Sequence, residues 1–277
     1  MKNHHEHTKR PFHTLLLLIL ICGATLLVLH HTSALMAENG RPTSENEFIY
    51  LPLITNPLDC GISGASYSSL PIASDPITRP AWDHPDINLA IRGYEQVSAS
   101  LMLVEYAGGS DANAPQLDTL FSPARVPTFT NAYQIYRWDW ACNCRLDLMS
   151  NWPTTLLGMG TSEGEPIHVP DSGYDIGGGN DVMVLYATDN RITLKYTRED
   201  NVVFGYTVHI EDICVDPALV SLYDSLDAAG RAQLPVLAGG QPFGRALGDE
   251  IKVSIRDTGN FLDPRSRKDW WQSQPPP

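Results

Sequence analysis

The chain has 277 residues, 43% of them hydrophobic, and 19 Lys and Arg against 32 Asp and Glu, for a formal net charge of −13 at pH 7. That acidity excludes nucleic acid as a partner, since a polyanion repels it. With 21 prolines and 21 glycines, many turns between short strands are expected, hence a mainly β fold of antiparallel sheets, curved or stacked as a sandwich.

The amino terminus reads as an export segment. Residues 14–29 (TLLLLILICGATLLVL) carry no charge and follow Lys2, Lys9 and Arg10, the layout of a basic region before an apolar one. The run is shorter than the roughly 20 residues that span a bilayer, so a cleaved signal peptide within residues 1–37 is favoured over a retained membrane anchor. Cleavage could follow Ala34 or Ala37. Cys22 does not follow the small residue that lipidation wants, because Ile21 stands there, and His4, His5 and His7 read as a solvated flank rather than a metal site. Without this segment 16 basic and 31 acidic residues remain, a net charge of −15.

Residues 38–80 are rich in Pro, Ser and Asn and read as a linker with one docking strand, FIYLPLI, at 48–54. A β-rich amino-terminal subdomain is expected over 81–160. Within it Ile87, Leu89 and Ile91 alternate as in a strand, an apolar run follows at 100–106, and the loop AGGSDANAP leads to a strand within 126–140. In YQIYRWDW, Tyr136, Trp138 and Trp140 share one face, and such a face is either core or an aromatic platform.

A second antiparallel β domain is expected over 161–272. Strands are predicted at 181–186, 191–197 and 202–210, with Asp189-Asn190 turning between the first two. Asp216-Pro217 supplies an N-cap and a first-turn proline, and Leu219, Leu222, Tyr223 and Leu226 follow at helical spacing until Gly230. This is the one short helix expected. A last strand spans 250–256, and the tail at 273–277 is expected to be disordered.

Past the export segment lie Cys60, Cys142, Cys144 and Cys214, an even number suited to an oxidising compartment. Avoiding the small ring between Cys142 and Cys144, two disulfides are expected to tie Cys60 and Cys214 to the Cys-Asn-Cys segment. Zinc is the lesser reading of that segment, its spacing being too tight for paired ligands.

Several phrases recur in a familiar order over residues 164–269: Ser172-Gly173-Tyr174-Asp175-Ile176, Val184-Leu185-Tyr186-Ala187, Gly205-Tyr206-Thr207-Val208-His209-Ile210, Leu222-Tyr223-Asp224-Ser225-Leu226, Gly240-Gln241-Pro242-Phe243-Gly244 and Asp263-Pro264. In this order the segment resembles the lysostaphin-type metallopeptidases, enzymes with a curved antiparallel sheet that cleave peptidoglycan. The resemblance implies zinc ligands at Asp171, Asp175 and Lys252 and catalytic histidines at Ser225 and Glu250. A lysine ammonium does not ligate zinc and neither catalytic position is a histidine, so the resemblance implies a sheet kept without its zinc chemistry.

Independent sites are few. His168, His209, Asp171, Asp175 and Asp181 are weak metal or acid–base candidates, the simpler reading being a strand histidine and a loop histidine. Residues 175–181 (DIGGGND) offer oxygen ligands for Ca²⁺, yet read more simply as a glycine turn. No phosphate-binding glycine loop, G-x-S-x-G elbow or H-E-x-x-H helix occurs. Tyr136, Trp138, Trp140, Trp270 and Trp271, with Trp152 nearby, could stack on sugar rings, although large aromatics at spacing two also fill a core. Arg265, Arg267 and Lys268 form a local basic cluster for an anionic polymer, for lipid headgroups or for the protein's own carboxylates.

The sequence therefore supports an exported, disulfide-containing, β-rich protein at the cell surface, membrane-tethered if residues 14–29 are retained. Its expected role is non-catalytic binding or support, with cell-wall glycan or peptidoglycan as partner and no cofactor. The alternatives are a metal-dependent wall hydrolase and a subunit of a surface assembly.

Overall fold

The computed structural model describes residues 58–275; the expected export segment, its apolar run and the expected docking strand at 48–54 lie outside the described residues. Fourteen strands are present among these: β1 (Ser68–Pro71), β2 (Tyr94–Val97), β3 (Phe129–Asp139), β4 (Cys144–Leu148), β5 (Leu156–Gly160), β6 (Pro166–His168) and β7 (Val182–Thr188). They continue with β8 (Arg191–Lys195), β9 (Tyr206–Glu211), β10 (Ile213–Val215), β11 (Gln233–Leu237), β12 (Pro242–Ala246), β13 (Glu250–Asp257) and β14 (Asn260–Leu262). The fold is mainly β and antiparallel. The helix foreseen after Asp216 is α2 (Pro217–Ala228), capped by the Asp216 side chain accepting from the Ala218 N–H and burying Leu219 and Tyr223. Two single turns, α1 (Leu89–Arg92) and α3 (Arg267–Trp270), accompany it. Among the described residues no helix is long and apolar enough to cross a membrane.

One large sheet runs in the order β1-β11-β7-β8-β9-β13-β5-β3-β2, with β14 on β13 and β4 on β3; β10, β12 and β6 form a second, smaller sheet. The two β bodies expected at 81–160 and 161–272 thus share one sheet, joined where β13 pairs β5 from Glu250↔Gly160 to Val253↔Leu157. The described part of the expected linker is likewise built in: β1 is the edge strand beside β11, and the Ile62 N–H and Tyr67 hydroxyl donate to Asp216 Oδ2 at 3.1 and 2.8 Å.

Three further expectations are corrected. Residues 88–92 are a helical turn, not a strand, because the Asn88 side chain accepts from the Ala90 N–H and Gly93, at φ 69°, stops the turn where a side chain would be strained. The disulfides are Cys60–Cys214 and Cys142–Cys144. The small ring forms because Asn143 takes φ 53° at the tip of the β3–β4 hairpin, leaving the flanking Cα atoms 5.3 Å apart, within disulfide reach. Of the tail expected to be disordered at 273–277, Ser273 and Gln274 are held against the body: Ser273 donates to Asp118, and the Gln274 carbonyl accepts from Arg267.

Strand alternation sorts the side chains of the central sheet. Ile192, Leu194, Val208, Ile210, Ile251, Val253 and Ile255 belong to the main buried cluster, with Phe243 and Ile213 of the smaller sheet and Leu219 and Tyr223 of α2. The opposite face of β8, β9 and β13 is polar, in three cross-strand rows: Arg191–Glu211–Lys252, Thr193–His209–Ser254 and Lys195–Thr207–Arg256. Most of this face is nevertheless buried. Residues 86–92 and the β13–β14 turn roof it, with a small apolar cluster of Leu89, Ile135, Leu156 and Phe261.

Candidate functional site

The roof fixes what the polar rows can do. Thr193 Oγ1 donates its one proton to the Ile87 carbonyl at 2.6 Å, so at 3.0 Å it must accept from His209 Nδ1. That places the His209 proton on Nδ1 and leaves Nε2 a buried acceptor without a partner among the described residues. Burial first, and the positive charge of Arg256 second, hold its pKa well below the ordinary histidine value, so the ring is neutral. Phe261 lies against it, ring centroids 5.9 Å apart.

Beside His209, Arg256 and Arg92 converge on one carboxylate. Arg256 Nη1 donates to Asp86 Oδ1 at 3.0 Å and to the Asp86 carbonyl at 3.1 Å, and Arg92 Nε donates to the same Oδ1 at 3.2 Å. Burial alone would raise the Asp86 carboxyl, but the two guanidiniums outweigh it and hold it below the usual range. Burial presses the Arg256 guanidinium down, Asp86 opposes this, and Arg92 presses it further. Both guanidiniums also lie over the Phe261 ring, at 4.2 and 5.5 Å. Two buried cations sharing one anion, with a neutral histidine beside them, leave an excess positive charge.

A cavity of about 270 Å³ opens onto this charge. Its deep wall is Arg92, Arg256 and Phe261, all buried. Trp138, Trp152 and Met149 add apolar surface, and the exposed side chains Arg137, Asn151 and Asn260 edge the mouth. The Trp138 indole Nε1 is buried without a hydrogen-bond partner among the described residues. Arg137 pairs with exposed Asp147. Such a cavity offers guanidinium donors and aromatic faces, a set suited to holding a polar ring that carries negative charge.

The residues singled out in the sequence fall unevenly around it. Trp138 lines the cavity, as does Trp152. Tyr136 is turned aside, donating to Glu95 beneath Arg145, and an irregularity in the β3–β4 register between positions 136 and 138 breaks their shared face. Trp140 lies beyond the end of β3 and packs edge-on against His84 at 5.5 Å. Trp270 and Trp271 are core side chains, 3% and 0% exposed, whose indoles donate to the carbonyls of Asp263 and Pro264, so neither presents a face to a ligand. Arg265 pairs with Asp263, Arg267 with Glu105 and Lys268 with Asp269, which accounts for that basic cluster internally.

The metal candidates do not gather. His168 and Asp171 edge a separate cavity of about 240 Å³, where burial and the nearby Asp181 and Asp118 raise the Asp171 carboxyl. Asp181 is engaged by the Ser172 N–H and hydroxyl and by the Gly239 N–H. Asp175 accepts from the Gly177 N–H at the head of a turn in which Gly177, Gly178 and Gly179 all have positive φ. His209 is enclosed with Thr193. Lys252 lies opposite Glu211, paired with Asp212 and Glu250, whereas the sheet level of Met183, near Asp181, is that of Lys195, Thr207 and Arg256. Lys252 and Asp171 therefore sit toward opposite ends of the strands. Among the described residues no group of three or more His, Cys, Asp or Glu is placed to hold a metal ion.

Arg92, Arg256 and Asp86 are not among the candidates named from the sequence. A usable signal existed in Arg256, a full charge that follows the apolar alternation of Ile251, Val253 and Ile255 on the same strand. Its partner Asp86 is 170 positions away and carries no mark of its own. Compared with protein families, with curated proteins and with solved structures, the chain matches none of them.

Proposed function

We propose that the protein is a non-catalytic binding module of the cell surface that takes hold of wall polymer through the Trp138–Trp152 cavity. The observation that carries this is the cavity itself, where two tryptophans stand beside buried guanidiniums. Aromatic faces with a few fixed polar groups are the usual means of holding a sugar ring. Export is supported by the apolar run at 14–29 and by the pairing of all four later cysteines, which favours an oxidising compartment. The resemblance of residues 164–269 to wall peptidases agrees with a wall-facing role, and a lysine at the zinc-ligand position 252, with no histidine at the catalytic positions Ser225 and Glu250, agrees with binding rather than cleavage.

Sedimentation with purified wall fragments tests the reading. The full chain is expected in the pellet and Trp138→Ala mostly in the supernatant, with Trp140→Ala behaving as the parent. Equal retention of all three, or release of soluble wall peptides together with stoichiometric zinc, would overturn it.

A further inference from the structure

The charge inside the cavity points to the kind of group it holds. Arg92 and Arg256 both spend their ionic contacts on Asp86, and the other carboxylates at this site belong to exposed Asp147, which answers Arg137 at the mouth. A buried guanidinium without its own counter-charge is costly, and a bound anion removes that cost. Arg92 donates to Asp86, the Pro85 carbonyl and the Tyr136 carbonyl, and Arg256 to Asp86 and the Gly259 carbonyl. Each has fewer distinct acceptors than its five N–H groups, so donors remain for a ligand.

The apolar part of the cavity distinguishes among anions. A free inorganic anion would need only the guanidiniums, whereas Trp138, Trp152 and Met149 provide surface for a ring, and the Asn151 and Asn260 amides at the mouth have no side-chain hydrogen bonds among the described residues and can serve hydroxyls. We propose that the cavity is a site for an acidic sugar, its carboxylate against Arg92 and Arg256 and its ring against the tryptophans. This rests on the binding reading above and narrows it to uronate-type units of a glycan.

Calorimetric titration of the full chain with methyl β-glucuronide and with methyl β-glucoside, its neutral twin, tests the proposal. The glucuronide is expected to bind about 10- to 100-fold more tightly, the span of a charged hydrogen bond, and to weaken as salt is raised. Arg137→Gln, an exposed substitution, should lower glucuronide affinity a few-fold without changing the melting temperature. Arg256→Lys, accepted only if its circular dichroism matches the parent, should erase most of the preference. Equal binding of the two sugars would overturn the acidic-sugar proposal and leave the binding module standing. Inorganic phosphate binding as tightly as the glucuronide would overturn the sugar part of it. No binding of either sugar, together with loss of wall sedimentation, would overturn both readings.

Discussion

Burying a polar row gives single residues unusual titration. Glu211, between Arg191 and Lys252 on the roofed face, has its carboxyl pushed up to about 7, first by burial, with Arg191 at 3.3 Å opposing the shift. A raised folded pKa means that its contribution is fully present below the unfolded value near 4.5 and is lost as pH rises through about 7. The swing is on the order of 3 kcal/mol. Glu211→Gln should therefore gain stability relative to the parent at pH 8 and little at pH 4.5, as read by urea unfolding at both. A difference between variant and parent that did not grow from pH 4.5 to pH 8 would contradict the burial argument. His209 acts with the opposite sign: its folded pKa is depressed, so its share of stability is present above about pH 6.5 and is lost as pH falls.

Among the elements, α2 shows how one cap ties distant chain together. Asp216 Oδ1 accepts from the Ala218 N–H at 2.8 Å, while Oδ2 accepts from Ile62 and Tyr67. Losing an N-cap costs about 1 kcal/mol, and two further bonds to a charged acceptor raise this to about 3 kcal/mol, so Asp216→Ala should lower stability by about that amount in denaturant unfolding. A cost equal to the cap alone would show that residues 58–67 are held by other contacts. Close approach constrains β5 in the same way, since a Cβ at Gly158 would collide with the Glu250 carboxylate and lie 2.7 Å from Thr130 Oγ1. Gly158→Ala should accordingly lower the melting temperature, and an unchanged value would show that the Glu250 carboxylate swings aside at little cost.

The elements differ in how far they could be read beforehand. The strands β7, β8 and β13 were legible because apolar residues alternate along β8 and β13 and β7 is a continuous apolar run, and α2 because Asp216, Pro217 and the spacing of its apolar residues all agree. The turn α1 was not, because Ile87, Leu89 and Ile91 alternate as a strand would while the Asn88 cap and Gly93 decide the local backbone. Trp138 could be singled out as a large aromatic on a strand. The Arg92–Asp86–Arg256 group could not, because it is assembled by a roof whose pairing with β13 spans 170 positions, and long-range pairing leaves no periodic trace.

At the scale of the whole molecule, an acidic chain keeps a small positive cavity beside the most enclosed part of its sheet. The two disulfides should contribute unequally. Cys60–Cys214 spans 154 positions and fastens the start of the described body to β10, whereas Cys142–Cys144 spans 2 and closes only a hairpin tip. Cys60→Ser with Cys214→Ser should cost about 2–5 kcal/mol, and the paired substitution at Cys142 and Cys144 much less, because loop closure restrains the unfolded chain more when the loop is long. Equal losses in denaturant unfolding would contradict this ordering.

The most direct test of ligand binding in the cavity is the indole N–H spectrum of the full chain during titration with methyl β-glucuronide. The Trp138 indole signal is expected to move with the titration as the ligand covers the cavity that Trp138 lines, while the core indoles of Trp270 and Trp271, already bonded to Asp263 and Pro264, stay in place. A stationary Trp138 signal, with shifts confined to the exposed Trp82 and Trp140, would contradict it.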